Sequence, residues 1–164
     1  VGEHPIDAKK EGVPMAKPLL RAEGIIYDKD FTRILVQCDK EESFFRFPGG
    51  GVEFGETACE AIARELIEEF DLTVWVGPLA LVNESIVEYD GIQRHDCTLI
   101  HWCRLRDDGD ILEWKRHKEH DGIKLIWKTI GELGTKPLYP EGALEVIEKK
   151  NTNEQRHLVV RKTY

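Results

Sequence analysis

Between Thr57 and Phe70 the chain reads TACEAIARELIEEF, and no other segment constrains the fold as much. At about 100° per residue, Cys59, Ile62, Ala63, Leu66 and Phe70 fall on one stripe. Thr57 followed by Glu60 has the spacing of a capping box, in which each residue satisfies the other's backbone N–H. The sequence therefore predicts a helix over 57–70 whose apolar stripe must be covered by another layer. Upstream, Pro48 and the run Gly49-Gly50-Gly51 predict a break in regular structure.

The rest of the chain is dominated by strand patterns. Leu19–Tyr27 and Arg33–Cys38 read as a hairpin about a turn at Asp28–Asp30, and Phe44–Phe47 as a short aromatic strand. Thr73–Val76, Leu79–Val87, Cys97–Leu105 and Ile123–Lys128 read as further strands, with Asp90-Gly91 as a hairpin turn. Arg106–Asp121 is charged and poorly patterned and is read as a long loop. Pro140–Lys150 reads as a second helix opened by proline, and His157–Val160 as a short terminal strand. This order predicts an α/β (α+β) fold, a mixed sheet held between helices. Residues 1–18 read as a flexible leader ahead of a single domain over 19–164.

Of the 164 residues, 41 % are hydrophobic and 33 % charged, enough apolar material for a sizeable core. The formal net charge of −8 argues against stable binding to a nucleic-acid backbone. A phosphorylated small molecule would need local basic residues or a divalent cation to offset that acidity. Cys38, Cys59, Cys97 and Cys103 form no CxxC pair and read as reduced core thiols in a cytoplasmic protein. No apolar run approaches the ~18 residues of a membrane span.

The acids of the helix are its chemical signal. Glu65, Glu68 and Glu69 share one arc beside the apolar stripe, where like charges at i, i+3 and i+4 repel. Arg64–Glu69 alone would pass for a solvated face. A hard cation such as Mg²⁺ or Mn²⁺, which prefers oxygen ligands and phosphate, would reverse the sign of that repulsion. Adjoining glycines allow backbone to approach such an ion closely.

Gly50, five residues, Glu56, seven residues, then Arg64-Glu65-Leu66-Ile67-Glu68-Glu69-Phe70-Asp71-Leu72 resembles the Nudix box, G-x5-E-x7-R-E-U-x-E-E-x-G-U with U a bulky aliphatic. One defined position departs: Asp71 stands for the usual glycine, and Asp tolerates the left-handed conformation there. The resemblance implies an α/β/α sandwich and a divalent-metal-dependent pyrophosphohydrolase. Its substrate would be a nucleoside diphosphate linked to another moiety, such as a nucleoside triphosphate, ADP-ribose or a sugar nucleotide, cleaved by water attack at phosphorus. It implies Mg²⁺ (or Mn²⁺) held by Glu65, Glu68, Glu69 and the Gly50 backbone. It also implies Arg64 as an orienting residue, Glu56 in a structural or metal-tuning role, and Glu65, or else Glu53, as the base. Many members are dimers, so a homodimer is allowed. The alternative is a Nudix-fold nucleotide-binding or regulatory module without turnover.

Other residues read as follows. Arg46, next to the box, is the first candidate for substrate phosphate, ahead of Arg21, Arg33, Lys40 and Arg94. Phe44, Phe45, Tyr89 and Trp114 are candidates for stacking on a base. Glu113, Glu119 and Asp121 read as solvated loop acids, one of which could supply a further ligand or the base. His117 and His120 lack the cysteines of a soft-metal site and read as loop residues, and His95 and His101 as satisfied strand histidines.

Overall fold

The computed structural model describes residues 17–107 and 113–164. Residues 1–16, most of the expected leader, lie outside the described residues. Along the chain run β1 (Leu19–Tyr27), β2 (Arg33–Asp39), β3 (Phe45–Arg46), β4 (Gly49–Gly51), α1 (Ala58–Phe70), β5 (Val74–Tyr89) and β6 (Ile92–Leu105). Then come β7 (Trp114–Arg116), β8 (Ile123–Thr129), α2 (Ile130–Leu133), β9 (Leu138–Tyr139), α3 (Ala143–Lys149) and β10 (Arg156–Thr163).

The strands form one mixed sheet, ordered β10-β5-β6-β1-β2-β3-β9, with β4 on β1, and β8 on β2 carrying β7. The β1–β6, β10–β5 and β3–β9 pairs are parallel, the rest antiparallel. Successive strand residues face opposite sides, and both faces of the central strands are buried. Ile34 and Val36 of β2 join Ile25, Phe45, Trp102, Leu133, Val146 and Ile147 under α2 and α3. Leu35 joins Ala22, Ile26, Val74 and Leu125 under Ile62, Leu66 and Phe70 of α1. This is the expected mixed sheet between helices. Among the described residues no helix is long and apolar enough to cross a membrane.

Several element boundaries are corrected. The glycine run is a strand, because backbone pairing to β1 (Arg21↔Gly51, Ala22↔Gly50, Glu23↔Gly49) requires no side chains. The two expected strands over 73–87 are one, which continues through Gly77-Pro78 by register shifts between Val76 and Leu81. Strand β6 starts five residues before Cys97, at the Asp90-Gly91 turn, whose φ values are 48° and 76°. The expected loop over 106–121 contains β7, paired with β8; residues 108–112 of it lie outside the described residues. The late helix begins only at Ala143, after a left-handed Gly142 and a cis Tyr139–Pro140 bond. The tail strand runs on to Thr163 along β5. On α1, Ala61 replaces Cys59 and Ala63 in the buried set, and Cys59 and Cys97 are half-buried rather than core.

Candidate active site

Helix α1 starts where the sequence says it should. Thr57 caps it and the reciprocal contact from Glu60 completes the box. It ends on Asp71 at φ 54°, ψ 37°, with Asp71 N–H bonded to the Ile67 carbonyl and Leu72 N–H to that of Leu66. Asp71 thus takes the left-handed closing position normally given to glycine. The helix lays its acidic edge against β4, and there Gly50 is indispensable: a methyl group on it would lie 2.9 Å from Glu65 Cγ and closer still to Cδ and Oε1. The bare backbone of Gly50 is the seat of the Glu65 carboxylate.

Arg64 organises the remaining acids. Its Nε and Nη2 donate to the two oxygens of Glu56 at 3.1 and 2.7 Å, and Nη2 also to the Gly51 carbonyl at 3.0 Å. Its Nη1 lies 3.1 Å from Glu65 Oε1, 3.1 Å from Glu68 Oε2 and 4.0 Å from Glu53 Oε1. Glu56 in turn accepts from the Glu53 N–H at 2.8 Å, so it ties the loop before α1 to the helix. The bonds from Arg64 hold the Glu56 carboxyl below the usual range.

Glu69 is different. Its side chain is mostly buried and Oε2 has no hydrogen-bond partner among the described residues. Burial, and then the charge of Glu65, push its carboxyl up to about 7. The other oxygen, Oε1, lies 3.4 Å from His117 Nε2. His117 Nδ1 accepts the backbone N–H groups of Glu119 and His120 at 3.0 and 3.2 Å. An accepting Nδ1 leaves the proton on Nε2, facing Glu69. The histidine is 2 % exposed and stacks edge-on against Phe70, and its burial depresses its basicity. Sequence reasoning read it as a loop residue. The link lies in the backbone: Lys118 N–H donates to the Glu69 carbonyl at 2.8 Å and draws the β7–β8 turn over the end of α1.

Glu65, Glu69, His117, His120 and the glycines of β4 line a cavity of about 270 Å³ together with Arg21 and Arg46. Arg46 is fixed by Gln37, whose amide oxygen accepts from Nη2 at 2.7 Å and Nε at 3.3 Å once the amide is oriented by this pairing. Glu23, beside it, has a side chain only 13 % exposed, and burial raises its carboxyl to about 7 against the opposing pull of Arg21 and Arg46. Glu53 and Glu68 do not line the cavity. They stand at its rim on the Arg64 side, with side chains 72 % and 54 % exposed. Among the described residues no three acidic, histidine or cysteine side chains are already gathered around one point.

The remaining candidates disperse. Glu113 and Asp121 are exposed, and Glu119 reaches the site only through its backbone and its charge. Arg33 pairs with Asp28, and Arg94 with Asp96. Phe45 is core rather than a stacking surface; Phe44 lies under Arg46, while Tyr89 and Trp114 are exposed. His101 Nδ1 lies 2.9 Å from the Gly77 carbonyl, a satisfied strand histidine as expected.

The donor set suits a hard cation. One buried carboxylate oxygen is unpartnered, a second carboxylate repels it, and a side-chain-free backbone lies against them. Comparisons with known proteins find the same fold. A UDP-X diphosphatase matches with a TM-score of 0.63 at 20 % identity, over 91 % of this chain and 70 % of that one. An ADP-ribose pyrophosphatase from Streptococcus suis matches at 0.56 and 17 %, over 86 % and 99 %. A MutT NUDIX hydrolase from Burkholderia pseudomallei matches at 0.62 and 21 %, over 83 % and 100 %. No curated protein matches the chain. The family model described as the NUDIX domain matches residues 18–149, and its members generally use a divalent metal. With that match spanning most of its length, the chain belongs to the NUDIX family of hydrolases.

Proposed function

We propose that this protein is a Mg²⁺- or Mn²⁺-dependent pyrophosphohydrolase that cleaves a nucleoside diphosphate linked to another moiety. The observation that carries the reading is Glu69, a mostly buried carboxylate with one oxygen unpartnered, lining a cavity that two arginines also line. Structural neighbours named as a UDP-X diphosphatase and an ADP-ribose pyrophosphatase support the substrate class. The four free cysteines are in keeping with a reducing, cytoplasmic setting.

Glu69, Glu65 and the Gly50 backbone would hold the ion, with Glu68 joining from the rim. The chemistry such an ion supplies when bound is neutralisation of polyphosphate charge and acidification of water. The chain's own groups do the rest. Arg46 and Arg21, which line the cavity, bind phosphate oxygens and position the anhydride. Arg64 keeps Glu65 and Glu68 from drifting, and Glu56 keeps Arg64 in place. His117 turns its Nε2–H toward Glu69 Oε1, 3.4 Å away, and Oε2 is left without a protein partner among the described residues. Glu65, seated inside the cavity, accepts the proton of the water that attacks phosphorus; Glu53 stands outside it.

The test is release of phosphate or nucleoside monophosphate from canonical and oxidised triphosphates, ADP-ribose and sugar nucleotides, with Mg²⁺, Mn²⁺ or EDTA. Turnover should vanish with EDTA. Glu69→Gln should abolish it and weaken Mg²⁺ binding by calorimetry while the melting temperature of the metal-free protein holds. A Glu69→Gln enzyme with unchanged rate would refute the assignment.

A further inference from the structure

A second concavity, of about 330 Å³, opens on the sheet beside the candidate active site and shares Arg21 and Arg46 with it. Strand alternation builds its floor: Asn83 and Ser85 of β5 stand opposite Thr98 and Asp96 of β6. Asn83 is 6 % exposed, and its Oδ1 has no hydrogen-bond partner among the described residues; Asp96 Oδ1 is likewise buried and unpartnered. The other Asp96 oxygen accepts from Arg94 Nε at 2.7 Å. Buried acceptors without donors are rare in native proteins, because the lost hydration is not replaced. Two of them diagonal to one another on adjacent strands, in a cleft that shares two arginines with the candidate active-site cavity, mark a place for a ligand that brings donors. The side walls carry Tyr139 and Tyr164, both exposed, which offer aromatic faces to a flat ring.

We propose that this cleft binds an amino-bearing nucleobase, its exocyclic N–H donating to Asp96 Oδ1 and the Asn83 amide and its ring lying against the tyrosines. The inference rests on the function proposed above, since it places the nucleoside of that substrate. Asp96 sets the direction of the preference. An amide can turn either end toward a ligand, but a carboxylate offers only acceptors, so a keto oxygen in place of the amino group would meet another oxygen. The cations Arg21 and Arg46 lie on the side of the active-site cavity, where the phosphates of the same molecule would run.

Binding of matched nucleoside monophosphates, measured by calorimetry in EDTA, tests this without turnover. CMP against UMP and AMP against IMP differ at the amino position, and ribose 5-phosphate supplies sugar hydroxyls without a base. The amino member of each pair should bind about tenfold more tightly, ribose 5-phosphate should bind more weakly than either, and Asp96→Asn should erase the difference within pairs. Equal affinities within both pairs would overturn the inference, as would ribose 5-phosphate binding as well as CMP, or no binding up to about 10 mM. Should Asp96→Asn fail to fold, the ratios in the unmodified protein still decide. Discrimination without hydrolysis of any pyrophosphate would sink the proposed function and leave this cleft standing. Hydrolysis without discrimination would do the reverse.

Discussion

Gly49 and Gly50 are neighbours on one three-residue strand, yet alanine should harm them in opposite ways. A methyl group at Gly49 would lie 2.7 Å from Glu23 Cα and closer still to the Ala22 carbonyl oxygen, on a backbone held at φ 153°. Those atoms belong to the central strand and cannot yield without breaking the β1–β4 pairing. Gly49→Ala should therefore cost about 3 kcal/mol or more, a fall in melting temperature of roughly 6–12 °C for a domain of this size. At Gly50 the obstacle is the end of the Glu65 side chain, and the φ is ordinary. That carboxylate can swing aside by about 1 Å to reach normal van der Waals separation, at the expense of its 3.1 Å contact with Arg64. Gly50→Ala should cost under about 1 kcal/mol of stability, while a shift of that size in Glu65, the base in the proposed mechanism, should lower kcat/KM by about 100-fold. Denaturant melts and steady-state kinetics on the two variants separate the effects. A Gly50→Ala enzyme with the parental kcat/KM, or a Gly49→Ala protein with the parental melting temperature, would refute the reasoning.

His117→Phe preserves the ring against Phe70 but strips the acceptor from the Glu119 and His120 N–H groups and removes the imidazole beside Glu69; a loss of about 2 kcal/mol is expected by urea unfolding, and a change under about 0.5 kcal/mol would contradict the assigned tautomer and contacts. The buried Glu23 carboxyl, raised to about 7 by burial, favours the folded state while it is protonated. Its contribution is complete below about 4.5, the ordinary glutamate value, and is lost as pH climbs through about 7. In metal-free buffer Glu23→Gln should flatten the decline in stability over that window; a variant with the same pH profile as the parent would show that Glu23 is not its source.

Much of this site was legible because it is local. The capping box, the closing Asp71 and the ladder of acids all lie within a single helix, where 3.6-residue periodicity fixes which side chains share an edge. What stayed hidden depends on partners distant in sequence. A strand of three glycines has no side-chain pattern to read, and only its pairing with β1 reveals it. Helix α2 has four residues, barely more than one turn. His117 stands 48 positions after Glu69, and a backbone bond from Lys118 brings the two together. Asn83 and Asp96 look unremarkable as separate polar residues in two strands; hairpin register alone puts them in one cleft.

The attachment of β4 to β1 also bears on when the site comes into being as the chain folds. Strand β1 is secured on its far side by a parallel pairing with β6, from Leu19↔Asp96 to Ile26↔Cys103, a closure of some of the longest loops in the chain and so among its slower steps. Until that ladder forms, Gly50 has no fixed frame and Glu65 no seat. A cation held by this set, as proposed, would therefore add its free energy to the finished sheet and not to earlier, partly paired states, so that metal occupancy would act as a latch on completed folding as well as an instrument of chemistry.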